Sequence, residues 1–287
     1  MLGKLIYENL QKYGFPYPID KHICSSWAKD IPKQSSTILY TSCMYQTASL
    51  SEIYSKFIPY AEKLSAFSFL GKYIKPKKEE LDRAYKILNR IVQLLKRNGI
   101  EFGYLYEEEP YSGAILLELG FLDEFSAYAK SVYKFFKEKG IKRIITVDPH
   151  THNALTRYQE FIDKMDIEVV NYLELIKDAK AISDITFVVH DSCLYSRFLN
   201  LRDKYREIIE KSGIKTIEDE LVTGNDTAFC CGSPIKPINP ELSDKIAKAR
   251  VQQLTKLSNN ILVVCPMCYA NLSKHHENIK DLTEVIE

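Results

Sequence analysis

The chain has 287 residues, a formal net charge of +1, 45% hydrophobic and 27% charged residues, a globular composition with room for one large domain or two smaller ones. So balanced a charge gives no general pull toward nucleic acid or an anionic membrane surface, and no apolar run approaches the roughly 20 residues of a spanning helix. The seven cysteines, an odd number, fit a disulfide scaffold poorly and point to metal or redox use. The opening "MLGKLIYENLQKYGFPYPIDKH" carries charges and prolines where a secretory leader would be apolar, so the expected compartment is the cytoplasm, or a membrane surface reached through a partner.

In chain order, short apolar β-type runs alternate with longer helical patterns. The predicted strands are "TILY" (37–40), "EFGYLY" (101–106), "RIITV" (143–147), "IEVV" (167–170), "TFVVH" (186–190) and "NILVV" (260–264). Between them, "SEIYSKFIPYAEKLSAF", "EELDRAYKILNRIVQLLKR", "DEFSAYAKSVYKFFKEKG" and "PELSDKIAKARVQQLTKLS" repeat apolar residues at helical spacing. Ser51 and the run Asn239-Pro240-Glu241 read as helix starts. Strand and helix in alternation predict an α/β fold, with mainly parallel sheets flanked by helices.

One pattern occurs twice. "TILYTSC" ends in Cys43 and "TFVVHDSC" in Cys193; "EEEPYSGAILLELG" stands where "TAFCCGSPIKP" stands later; "RIITVDPHTHNAL" matches "NILVVCPMCYANL", with Val147 opposite Val264, Pro149 opposite Pro266 and Leu155 opposite Leu272. The expectation is two pseudo-repeated halves: a linker-like segment over 1–36, a first half over 37–180 and a second over 181–287.

Five of the seven cysteines fall in the second half, at three strand-to-helix junctions: Cys193, the adjacent pair Cys230-Cys231, and Cys265-Pro-Met-Cys268. In an open parallel sheet such junctions share the carboxyl edge, where ligands bind. Converging thiolates select zinc, copper(I) or an iron–sulfur cluster. Zinc takes four ligands, and a thioredoxin-like dithiol would use only the CxxC. At a helix start the thiol pKa is expected to fall, and Gly232 is expected to let the backbone approach a bulky centre.

Thirty-six residues separate Cys193 from Cys230 and thirty-three separate Cys231 from Cys265. With Cys230-Cys231-Gly232 and Cys265-x-x-Cys268, this spacing resembles the cysteine-rich CCG domain family, which includes heterodisulfide reductase subunits and the iron–sulfur subunits of anaerobic glycerol-3-phosphate dehydrogenase and glycolate oxidase. "HDSCLYSR" around Cys193 is similar to that family's His-Asp-Pro-Cys segment, and "ENLQKYGFPY…SSWAKDI" resembles the linker that precedes such domains. The resemblance implies that Cys193, Cys230, Cys231, Cys265 and Cys268 bind a [4Fe–4S] cluster, noncubane in the heterodisulfide reductase type, and that a disulfide or thiol is the substrate. The alternatives are an electron-transfer subunit between a flavin dehydrogenase and a quinone or carrier, and a zinc-bearing assembly subunit without catalysis. His190, three residues before Cys193, is a candidate proton donor to a leaving thiolate.

The first half departs from the family pattern. Its cysteine pair is replaced by Tyr111-Ser112 and its CxxC by Asp148-Pro-His150-Thr151, which leaves Cys43. One reading is a scaffold; the other is a zinc site of Cys43, Asp148, His150 and His152. Cys24 is expected to be a buried thiol. The ferredoxin run C-x2-C-x2-C-x3-C is absent, so electrons are expected from a ferredoxin-like or flavin-containing partner subunit.

Overall fold

The computed structural model describes residues 2–57 and 74–287. It divides into two compact units, Met1–Tyr85 with Glu101–Asn171, and Lys86–Ile100 with Tyr172–Glu287. The segment 1–36 therefore belongs to the first unit, and a stretch of predicted helix within the expected first half packs with the second.

The first unit opens with α1 (Leu2–Tyr13) and the short α2 (His22–Ser25). Strand β1 (Thr37–Tyr40) leads into α3 (Met44–Thr47) and α4 (Ser51–Phe57). The rest of the helix predicted after Ser51 lies outside the described residues. Helix α5 (Lys78–Arg97), most of which belongs to the second unit, comes next in the chain; the first unit resumes with α6 (Ala114–Glu118), α7 (Leu122–Glu138), β2 (Arg143–Thr146), α8 (Pro149–Thr156) and β3 (Glu168–Asn171). The sheet has the order β1-β2-β3, parallel throughout. Its strands read as almost unbroken apolar runs because helices cover both faces. Along α7 the buried side chains are Phe125, Tyr128, Ala129, Val132 and Phe136, the three-and-four spacing of one helical face.

The second unit contains β4 (Thr186–His190), a single π-helical turn (Leu194–Phe198), α9 (Arg202–Ser212), β5 (Lys215–Ile217), α10 (Glu220–Thr223), α11 (Pro240–Leu254), β6 (Ile261–Val263), α12 (Pro266–Leu272) and β7 (Ile279–Asp281). Its sheet has the order β5-β4-β6-β7, again parallel. The start of α11 is capped as its sequence predicts, with the Asn239 side chain accepting from the Leu242 amide and Pro240 in the first turn. Both expected halves are therefore α/β layers around a parallel sheet.

Three strands differ from expectation. The run 101–106 contributes only a bridge, in which Gly103 N–H donates to Thr37 O and Gly103 O accepts from Leu39 N–H. Tyr106 then adopts a left-handed conformation (φ 55°), which ends the extended run. Strands β5 and β7 were not predicted: each has three residues and mixed polarity, and each lies at a sheet edge.

Candidate metal centre

The centre is built at the carboxyl ends of β4 and β6. Cys193 lies three residues beyond β4 and immediately before the π turn; Cys265 lies two residues beyond β6 and is the N-cap of α12, with Cys268 in the first turn. Cys230 and Cys231 arrive on the loop between α10 and α11. Single π turns recur at functional sites, where they re-aim one residue out of a helical path. The π turn is tied to the Cys230 loop by Arg197, whose Nη1 donates to Asn225 O and Ala228 O at 3.0 and 3.2 Å.

All five expected cysteines converge. The Cys193 and Cys230 sulfurs are 3.9 Å apart. Cys231 and Cys268 lie with an imidazole nitrogen of His190 in one group whose ligand atoms are within 4.8 Å of each other. Cys265 packs in the same buried cluster. Cys231, Cys265 and Cys268 are buried, whereas Cys193 and Cys230 are partly exposed, so the site opens on that edge.

The electrostatics are those of crowded thiols that cannot all ionise. A hydrogen bond from Cys193, with others from Cys231 and the Gly232 amide, depresses the Cys230 pKa and favours its thiolate. The same contact with Cys230 raises the pKa of Cys193. Hydrogen bonding to Cys230 and to Cys231 raises Cys231 and Cys268 respectively. The expected lowering of a thiol pKa at the start of α12 is thus overturned at Cys268 by its sulfur neighbours. A soft cation is the group that lets several buried sulfurs ionise together, because it replaces mutual repulsion with coordination. The donor set therefore fits a thiolate-bound metal or cluster, and it offers one sulfur more than a tetrahedral zinc requires.

Gly232 sits where the Cys230 loop meets α11. It is left-handed (φ 85°), and a Cβ there would lie 2.7 Å from Ser243 O and 3.0 Å from Ile246 Cβ. The turn presses on α11 closely enough that a side chain there would have to displace the helix. The turn is further held by Asn271 Nδ2, which donates to Cys231 O at 2.7 Å. Backbone N–H groups of Gly232 and Ser233 point at the Cys230 and Cys231 sulfurs, at 3.4 and 3.5 Å.

Asp191 anchors the segment that carries Cys193. It is buried and accepts from Tyr205 Oη at 2.6 Å, from Arg206 Nη2 at 2.7 Å and from Arg202 Nε at 3.1 Å. Burial pushes its pKa up, but the hydrogen bond and charge of Arg206, with Tyr205 and Arg202, outweigh it and hold the carboxylate below its usual value.

His190 is placed beside the Cys231 and Cys268 sulfurs. It is fully buried, and burial together with the charge of Arg250 lowers its pKa to about 3. Its Nδ1 accepts from Arg250 Nε at 3.1 Å. Arg250 escaped the sequence reading. Its signal was a lone charge on the buried stripe of α11, between Ala247, Val251 and Leu254.

The zinc site expected in the first half is not assembled. Cys43 forms a disulfide with Cys24, Cα–Cα 5.0 Å, so its sulfur is not available as a thiolate and Cys24 is not the free thiol expected. Asp148 caps α8 through the Thr151 amide at 2.9 Å. His150 pairs with Glu118 at 2.6 Å, and His152 Nδ1 meets Thr146 Oγ1 at 2.8 Å, with burial lowering its pKa to about 4. Each group is engaged in packing its own neighbourhood. Among the described residues, the one group of three or more histidine, cysteine or acidic side chains close enough to share a metal ion is His190, Cys231 and Cys268.

Comparison with known proteins bears on this site: residues 187–273 match the family "CCG: Cysteine-rich domain". Among curated proteins, the chain is similar to "Probable iron-sulfur-binding oxidoreductase FadF" of Bacillus subtilis (strain 168), 28% identical over 204 residues that cover 67% of this chain and 28% of that protein. It is also similar to "EtfAB:quinone oxidoreductase" of Syntrophomonas wolfei subsp. wolfei (strain DSM 2245B / Goettingen), 28% identical over 162 residues, or 53% of this chain and 22% of that protein. The matches span about a quarter of the length of these relatives. Among the described residues no helix is long and apolar enough to cross a membrane.

Proposed function

We propose that this chain is an iron–sulfur oxidoreductase subunit in which Cys193, Cys230, Cys231, Cys265 and Cys268 hold a [4Fe–4S] cluster. The observation that carries this reading is the convergence of five free sulfurs from three loops at one sheet edge. The names of the two relatives support iron–sulfur redox chemistry. Bound there, a cluster would supply one-electron steps, and the noncubane form implied by the family resemblance is suited to splitting a disulfide in two such steps.

The chain's own residues would divide the work by exposure. Cys231, Cys265 and Cys268 form the dry floor. Cys193 and Cys230 form the accessible edge, which is where a substrate sulfur would enter. Reducing a disulfide consumes two electrons and two protons and releases two thiols. The electrons would come from a ferredoxin-like or flavin-containing partner, and the protons from solvent at the open edge, where Cys193 and Cys230 are partly exposed. A second reading, electron relay without a sulfur substrate, is favoured by the likeness to a protein named as a quinone oxidoreductase.

Anaerobic purification with iron and sulfide analysis and EPR tests both readings. A cluster signal perturbed by added thiol is the result expected for the substrate reading. A signal indifferent to thiol selects relay, and stoichiometric zinc without iron overturns both. Replacement Cys231→Ser is expected to lower iron per chain or convert the signal, since it removes a ligand from the buried floor; an unaltered cluster would contradict the five-ligand set.

A further inference from the structure

Arg250 is fully buried on α11, where an unpaired charge is strongly destabilising. Its guanidinium is only partly engaged. Nη1 donates to Val222 O at 2.8 Å and to Gln253 Oε1 at 3.2 Å, and Nε donates to His190 Nδ1 at 3.1 Å. Nη2 is buried with no partner among the described residues.

The contact with His190 has a chemical consequence. A guanidinium nitrogen only donates, so Nδ1 of the imidazole must accept, and a neutral ring then carries its hydrogen on Nε2. Nε2 is likewise buried without a partner among the described residues. The ring stands within 4.8 Å of the Cys231 and Cys268 sulfurs. The Nε2–H is thus a stranded donor on a ring that stands beside the sulfurs, and a buried unsatisfied donor is costly. An electron-rich sulfur, whether thiolate or sulfide, is the acceptor that relieves it.

We propose that Arg250 is a positioning residue that locks His190 in the Nε2–H tautomer, and that His190 thereby donates an N–H···S hydrogen bond to a sulfur of the centre held by Cys231 and Cys268, favouring its reduced state. This rests on the iron–sulfur reading. The physical basis is general: outer hydrogen bonds fix the orientation of ligand groups and, directed at sulfur, stabilise the extra electron. It also gives the His-Asp-x-Cys segment a division of labour, in which Asp191 anchors the backbone through Arg206 and His190 tunes the centre.

The test is an EPR-monitored redox titration of the full chain carrying its cluster, with iron and sulfide counted in each sample. Arg250→Met and His190→Ala are each expected to weaken reduction by about tenfold or more, a shift of 59 mV to more negative potential for a one-electron couple. Arg250→Lys keeps the charge but not the rigid fork and is expected to fall short of the wild-type potential, whereas His190→Gln, whose amide can donate, is expected to recover part of the loss. Pulsed EPR after transfer to D2O should reveal an exchangeable proton coupled to the cluster in the wild type and not in His190→Ala. Full iron content with unmoved potentials overturns the inference and leaves the cluster reading standing; absence of iron fails both. Should the variants fold poorly, long-range 15N spectra of the wild-type imidazoles decide: Nε2–H is expected for His190, and Nδ1–H or an imidazolium at neutral pH overturns the inference whatever the site holds.

Discussion

Glu109 shows how one buried side chain writes a pH dependence into the first unit. Its carboxyl is 5% exposed and accepts from the Thr41 amide at 3.0 Å and from Thr41 Oγ1 at 2.7 Å. Burial raises its pKa to about 7, against an ordinary value of 4.5, and the hydrogen bonds from Thr41 and the nearby Lys21 charge only moderate that rise. The sign follows from proton counting. Between those two values the native state holds a proton that the unfolded chain has released, so stability is greatest at the acid end and falls as pH rises through the window, on the order of 1.4 kcal/mol per unit. Above pH 7 both states are ionised and the penalty is constant. Glu109→Gln keeps a neutral group of the same shape. Its melting temperature is expected to change less between pH 5 and pH 8 than that of the wild type, which should lose stability over that range; parallel profiles for the two proteins would refute the assignment.

At the scale of elements, the two halves keep the same turn and differ in what it presses against. Gly113 caps α6 and Gly232 caps the 3-10 turn Ser233–Ile235 that precedes α11, and both share a left-handed backbone, φ 80° and 85°. An added Cβ at Gly113 would meet ring atoms of Tyr128 and Phe125 at 3.1 and 3.2 Å, which can give by small rotations. At Gly232 it would meet the Ser243 carbonyl at 2.7 Å, a backbone atom fixed within α11. Left-handed backbone alone costs a residue with a Cβ about 1–2 kcal/mol, so both alanine variants should melt lower. Gly232→Ala should lose clearly more, and equal losses or the reverse order in thermal unfolding would contradict the packing described. Elements of this kind were legible to unequal degrees. Strands β1, β2, β4 and β6 were readable because buried parallel strands are continuous apolar runs. The edge strands Lys215–Ile217 and Ile279–Asp281 were not, since three residues with a charge among them carry no period.

For the whole molecule, the repeat pointed to two parallel sheets, and the strand-to-helix junctions of the cysteines pointed to one shared edge, because strand ends in a parallel sheet share an edge whatever the loops between them do. Pairings set by three-dimensional packing stayed hidden. Arg250 is marked only by its place on the apolar stripe of "KIAKARVQQL", which does not name its partner, and Cys24 lies in a segment outside both copies of the motif, where nothing marks Cys43 as its partner. The two units thus handle sulfur differently: a closed disulfide in the first and five free cysteines in the second. That separation makes a prediction. The disulfide spans a sequence separation of 19 residues, and closing a loop near that size stabilises by about 3 kcal/mol through the unfolded chain. The double variant Cys24→Ser, Cys43→Ser should therefore lower the unfolding transition of the first unit by roughly that amount. Iron and sulfide per chain should stay at the wild-type level after anaerobic reconstitution, because every sulfur of the centre lies in the second unit. Unchanged stability would show that the disulfide does not hold the native protein, and loss of iron together with the disulfide would mean that Cys24 or Cys43 serves the centre after all.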